Sequence, residues 1–126
     1  MEIFLNDTKD PLYLKIFFAI REKIMLGQLK NNEQLPSVRE MSTQLNVSVL
    51  TVKKAYDELE KNGLAFTIAG KGSFVKNIGI DSIKENKLLD IQKILEKILE
   101  DAESFGITKD DIENIIKYLW GYYVNY

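Results

Sequence analysis

Leu35-Pro36-Ser37-Val38-Arg39-Glu40-Met41-Ser42-Thr43-Gln44-Leu45-Asn46-Val47-Ser48-Val49-Leu50-Thr51-Val52-Lys53-Lys54-Ala55-Tyr56 is the stretch on which the fold turns. Ser37 and Glu40 stand in an S-x-x-E capping box, where each side chain satisfies a backbone donor at a helix start. The helix opened by Ser37 is short, with Val38, Met41 and Leu45 on its inner face. Asn46 is expected to end it, because Asn tolerates the left-handed conformation. Only Asn46 and Val47 precede Ser48, the N-cap of the next helix. That helix runs to about Lys61. It buries Val52, Ala55, Tyr56 and Leu59 and turns Val49, Leu50, Thr51, Lys53 and Lys54 outward. Asn62-Gly63 stops it.

Working outward, Asp10-Pro11 reads as an N-cap and first-turn proline. Leu12, Ile16, Ile20 and Ile24 follow at four-residue spacing, joined by Tyr13 and Phe17, and Gly27 ends this helix. Residues 30–34 read as a polar loop. After Gly63 the period changes. Residues 64–68 and 73–75 are short β-prone runs around a glycine-punctuated tip, Ala69-Gly70-Lys71-Gly72. Residues 77–82 look like a link. A long amphipathic helix is predicted over residues 82–104, with Leu88, Ile91, Leu95, Ile98, Leu99 and Ala102 along one face. Phe105-Gly106 breaks it. A last helix starts at Thr108, with Asp110 and Asp111 as partners of its dipole. Its stripe is Ile112, Ile115, Ile116, Leu119 and Trp120, and Tyr122, Tyr123 and Tyr126 are expected to pack at its end.

Composition removes whole classes of function. The 126 residues include no cysteine and no histidine. Disulfides, thiolate metal sites and His-based acid–base or nucleophilic chemistry are thereby excluded. No metal set and no cofactor motif is visible, and a carboxylate-only enzyme lacks paired acids in an apolar setting. Hydrophobic residues at 45% and charged residues at 29% give the profile of a soluble globular chain. No run approaches the ~18 apolar residues of a membrane span, and no secretory signal opens the chain, so a cytoplasmic location is expected.

The net charge is −2, against the basic character common in nucleic-acid binders. Its distribution is uneven. Residues 1–76 hold 11 Lys/Arg and 9 Asp/Glu, a net of +2, whereas residues 77–126 hold 6 and 10, a net of −4. Residues 41–56 and 61–80 contain no carboxylate, and both carry lysines. Positive potential is therefore local.

The order helix, helix, tight turn, helix, hairpin is that of a winged helix-turn-helix, whose second helix lies in the major groove. Ser48, Thr51, Lys53 and Lys54 suit a helix start that meets phosphates and bases. Ser37 and Arg39 open the preceding helix, and arginine can bond guanine O6 and N7 together. Gly70 and Lys71 at the hairpin tip suit the adjacent minor groove. Each also has a plainer role: Ser37 as a cap, Lys53 and Lys54 as a solvated face, and Gly70 and Gly72 as turn residues.

The run from Pro11 to Val75 resembles the GntR family of bacterial regulators. It does so through Gly27-x-Leu29, Leu35-Pro36-Ser37-Val38-Arg39-Glu40, Val47-Ser48, Thr51-Val52-Lys53-Lys54-Ala55-Tyr56, Leu59-Glu60, Gly63-Leu64 and Gly70-Lys71-Gly72-Ser73-Phe74-Val75. The short two-helix tail is similar to that of the YtrA-like subfamily. The resemblance implies a homodimer joined through the tail, a palindromic operator in double-stranded DNA, repression and, by subfamily analogy, control of a transporter operon. It implies base reading by Arg39, DNA contact by Ser48, Thr51 and Lys53, and minor-groove contact by Gly70 and Lys71. Many members carry Arg and Thr where this chain has Val49 and Leu50. Those positions lose hydrogen-bonding capacity, and their side chains are of a kind that could still touch thymine methyl groups.

The expected fold is α+β, mainly α. A winged helix-turn-helix spans residues 1–76, a linker 77–82, and a helical dimerisation tail 83–126. Dimerisation is assigned to Leu88, Ile91, Leu95, Ile98, Leu99, Ile112, Ile116, Leu119 and Trp120. The tail is short for an enclosed cavity, and a small-molecule effector is left open. The rival reading is a winged-helix docking module that binds protein instead of DNA.

Overall fold

A computed structural model describes residues 1–77 and 79–123 of the chain. The mainly α architecture runs α1 (Leu12–Met25), α2 (Val38–Leu45), α3 (Val49–Lys61), β1 (Ala65–Ile68), β2 (Gly72–Val75), α4 (Ile80–Ser104) and α5 (Lys109–Tyr123). Two compact units divide it, Met1–Ile80 and Asp81–Tyr126.

In the first unit the helices close around one apolar core. Ile16, Phe17, Ile20 and Ile24 of α1 meet Met41 of α2 and Val52, Ala55, Tyr56 and Leu59 of α3. Leu64, Ala65 and Val75 bring the hairpin onto the same core. Leu12, at the first helical position, is exposed and stands outside the stripe it was expected to begin. Asp10 does not cap α1: Pro11 holds the cap position without a side-chain bond, and Asp10 accepts from Thr8 Oγ1 at 3.2 Å. Gly27 ends the helix as expected. It adopts φ +74°, which lets the Gln28 and Leu29 amides return to the Lys23 carbonyl at 2.9 and 3.2 Å.

The polar segment before α2 is not a loop alone. β1 and β2 pair antiparallel, with Phe66 opposite Phe74 and their rings stacked 5.6 Å apart. The Asn32 amide donates to the Val75 carbonyl, the Val75 amide to the Glu33 carbonyl, and the Leu35 amide to the Ser73 carbonyl, at 2.8, 2.8 and 2.9 Å. Residues 32–35 thus lie along β2, joined to it by an isolated antiparallel bridge of Gln34 with Phe74. Ile3 is also in the core, with Met1 and Leu5 packed beside it, and the Met1 carbonyl accepts from Gln44 on α2.

α4 starts at Ile80, the last residue of the first unit, so the helix takes up the last part of the segment read as a link. Phe105 and Gly106 break it. The amides of Phe105 and Ile107 return to the Ala102 carbonyl at 3.1 Å, and Gly106 has φ +70°. Thr108 and Asp111 cap α5 reciprocally. The Asp111 amide donates to Thr108 Oγ1 at 3.2 Å and the Thr108 amide to the Asp111 carboxylate at 2.9 Å. That backbone bond, with the side-chain bond behind it, holds the Asp111 carboxyl below the usual carboxylate range. The C-terminal end of the chain, including Tyr126, lies outside the described residues. No helix among the described residues is long and apolar enough to cross a membrane.

Candidate nucleic-acid interface

The helix-turn-helix is fixed by local bonds. Ser37 Oγ accepts from the Glu40 amide at 3.1 Å. Among the described residues the Glu40 carboxylate returns no bond to the Ser37 amide, so half of the expected box forms. Asn46 closes α2 with φ +55°. Ser42 then clamps the turn from both sides. Its hydroxyl donates to the Val47 carbonyl at 2.5 Å, and its carbonyl accepts from the Val47 amide at 3.1 Å. Ser48 caps α3, accepting from the Thr51 amide at 3.0 Å, with its hydroxyl 2.7 Å from that of Thr51.

These bonds set one end of α3 outward. Ser37, Arg39, Ser48, Val49, Leu50, Lys53 and Lys54 are all exposed, and Thr51 is half-buried beneath them. Among the described residues no carboxylate lies within ion-pair distance of Arg39, Lys53, Lys54 or Lys71; the ion pair found there joins Lys109 to Glu113. Lys54 differs from Lys53, because its ammonium sits 6.0 Å above the Tyr13 ring of α1. Lys53 has no such partner among the described residues. Gly70 and Lys71 are exposed at the hairpin tip, where Gly70 has φ +76° and the Lys71 amide donates to the Ile68 carbonyl at 3.0 Å.

One short segment ties the hairpin to both helices. Gln34 Nε2 donates to the Lys71 carbonyl at 2.9 Å. Two residues on, the Pro36 carbonyl accepts from the Tyr56 hydroxyl of α3 at 2.7 Å, and Ser37 follows as the α2 cap. Gly72 is required for this arrangement: its φ is +126°, and a Cβ there would stand 2.9 Å from Gln34 Nε2. Sequence reasoning missed Gln34, which carries no local signal. It placed Tyr56 in the core without a partner for its hydroxyl. Burial, with the Glu40 charge added, pushes that hydroxyl above the ordinary phenol range, so it remains a donor at working pH. Tyr56→Phe would strand the Pro36 carbonyl. It is expected to cost about 1–3 kcal/mol of unfolding free energy in urea titrations. A loss below about 0.3 kcal/mol would show that the bond holds nothing.

The tail residues belong to the second unit. Leu88, Ile91, Leu95, Ile98 and Leu99 of α4 are exposed, as are Ile116, Leu119 and Trp120 of α5, while Ile112 is half-buried and Ala102 buried. Leu88 is 64% exposed and Trp120 60%. Ile94 borders the α4 stripe and is also exposed. Tyr122 stacks on Tyr118 and meets Tyr123 edge to face, yet all three remain exposed. Leu99, Ala102, Ile107 and Ile112 line an open apolar cleft of about 350 Å³.

Comparison with known proteins places this geometry. Residues 12–75 match the family described as bacterial regulatory proteins, gntR family. The transcriptional repressor YtrA of Bacillus subtilis strain 168 is 32% identical over 110 residues, 87% of this chain and 85% of the relative. The crystal structure of a transcriptional regulator from Oenococcus oeni superposes with a TM-score of 0.66 at 29% identity, over 94% of this chain and 98% of that one. The DNA-binding domain of AraR, solved in complex with operator ORE1, superposes with a TM-score of 0.52 at 28% identity, over 60% of this chain and 93% of that one.

Proposed function

The chain belongs to the gntR family of bacterial regulatory proteins, a transcription regulator with a winged helix-turn-helix, and on that premise we propose that it represses transcription as a homodimer on a palindromic operator. Its role is recognition in the cytoplasm, with no catalysis. The observation that carries the reading is the outward face around the start of α3, where Arg39 and Lys53 stand exposed with no carboxylate within ion-pair distance among the described residues. An uncovered cation with no internal partner is available to a phosphate or a base edge at little desolvation cost. That AraR was solved on an operator supports double-stranded DNA as the ligand.

In this reading α3 enters the major groove. Ser48, Thr51 and Lys53 meet its edge, and Arg39 reads a base from the start of α2. Ser37 and Lys54 meet the backbone, and Gly70 and Lys71 reach the neighbouring minor groove. Two copies joined by α4 and α5 would set their α3 helices about 34–36 Å apart, one helical turn of DNA. A bound dimer blocks a promoter by occupancy.

The test selects operators from a random duplex pool and then titrates the best one. Affinity is expected to fall steeply with salt, with a log–log slope of about −0.9 per phosphate neutralised. Arg39→Ala is expected to cost roughly 1–3 kcal/mol and to relax preference at one position of each half-site. A pool that yields no preferred sequence would favour a protein-docking role instead. Unchanged affinity and preference in Arg39→Ala would remove that arginine from base reading.

A further inference from the structure

We propose, resting on the operator reading above, that Val49 and Leu50 select thymine by contact with its 5-methyl group in each half-site. Both side chains lie outside the core cluster; Val49 is 47% exposed and Leu50 62%. Single exposed apolar residues are ordinary. Two in succession, directly beside the exposed Ser48 and Lys53, form an apolar spot within the face assigned to DNA.

Hydrogen-bond accounting narrows what this spot reads. The Ser48 and Thr51 hydroxyls carry two protons between them. One is spent in their mutual 2.7 Å bond, and Ser48 Oγ also accepts the Thr51 amide. One hydroxyl donor is left at the start of α3, enough for a single phosphate or base oxygen. The side chains at positions 49 and 50 add only hydrocarbon to this end of the helix. In the major groove the thymine C5-methyl is the apolar group that distinguishes one base from the others. Charge separates this occupant from an apolar protein surface. Lys53 and Lys54 follow the spot by one helical turn, and residues 41–56 contain no carboxylate. An apolar spot with two lysines one helical turn away and no carboxylate in the surrounding sequence fits a methyl group set in a polyanion.

Deoxyuridine tests this directly, since it removes the methyl and leaves base pairing intact. In the selected operator, each thymine is replaced by deoxyuridine one position at a time, and the binding of the full chain is measured. At one or two positions per half-site the unmodified chain is expected to bind about three- to fivefold more weakly, the effect of one lost buried methyl. Leu50→Ala or Val49→Ala is expected to bind the thymine operator more weakly and to lose the penalty at one of those positions. Tight operator binding that ignores every uridine swap would overturn the proposal and leave the operator reading standing. Retention of every penalty in both variants would also overturn it. A pool yielding no preferred sequence would bring down the operator reading itself, and this proposal with it.

Discussion

The double variant Ile91→Glu/Ile98→Glu is expected to sediment as a monomer and to bind its operator about 10²- to 10⁴-fold more weakly. α4 and α5 each carry an amphipathic stripe, and in the protomer most of both stripes meets water. Leu88, Ile91, Leu95 and Ile98 alternate at three- and four-residue spacing, the pattern that seats one helix against another. A contiguous apolar surface on this scale marks an interface. Carboxylates at its centre would have to shed water without a partner, which costs several kcal/mol. Dimer formation is then lost. The operator penalty follows from linkage: a dimer engages its second half-site at the high effective concentration set by the first. A monomer has one half-site and no such gain. The winged unit contains neither residue, so its own unfolding transition should persist, which separates lost assembly from lost folding. A variant that stays dimeric, or a monomer that keeps full operator affinity, would refute the tail as the joining surface.

Leu59→Ala is expected to remove about 2–5 kcal/mol from the winged unit. Leu59 is fully buried on α3, in the cluster that α1, α3 and the hairpin share. Truncation there leaves a cavity inside that shared cluster, and elements already fixed by their other core contacts cannot all move in to fill it. Stability of a domain this size is only about 5–15 kcal/mol, so the loss is a large share. In thermal unfolding the midpoint should fall by at least about 10 °C. Leu59 is fully buried and not one of the residues assigned to the DNA face, so operator affinity below the lowered midpoint should be close to that of the parent. A shift of less than about 3 °C would mean that the core relaxes around the deletion.

The features legible in the sequence are those whose energetics are local. Ser37, Ser48 and Asn46 marked helix ends because cap bonds span three or four residues, and the stripes of α1 and α3 followed from a period of 3.6. The order of the motif, with the family resemblance, led to the outward set from Ser48 to Lys53. What escaped depends on partners far along the chain. Residues 32–35 carry no alternation, and it is bonding to β2, far along the chain, that holds them in place. Ile3 stands alone in a polar opening segment, so no periodicity announces its burial. The seat of Lys54 over Tyr13 depends on how α3 crosses α1. The reciprocal cap was read at Ser37 and Glu40, yet it forms at Thr108 and Asp111. Both pairs have the required spacing, and the Glu40 charge instead bears on the Tyr56 hydroxyl.

The contact between Gln34 and Gly72 also divides the hairpin tip for anyone wishing to retarget it. No atom lies within 4 Å of a Cβ added at Gly70, although its positive φ still disfavours side chains, whereas a Cβ at Gly72 would also displace the Gln34 amide. A randomised library is therefore best spent on Ala69 and Lys71, with Gln34 and Gly72 held constant as the frame on which new tips are displayed.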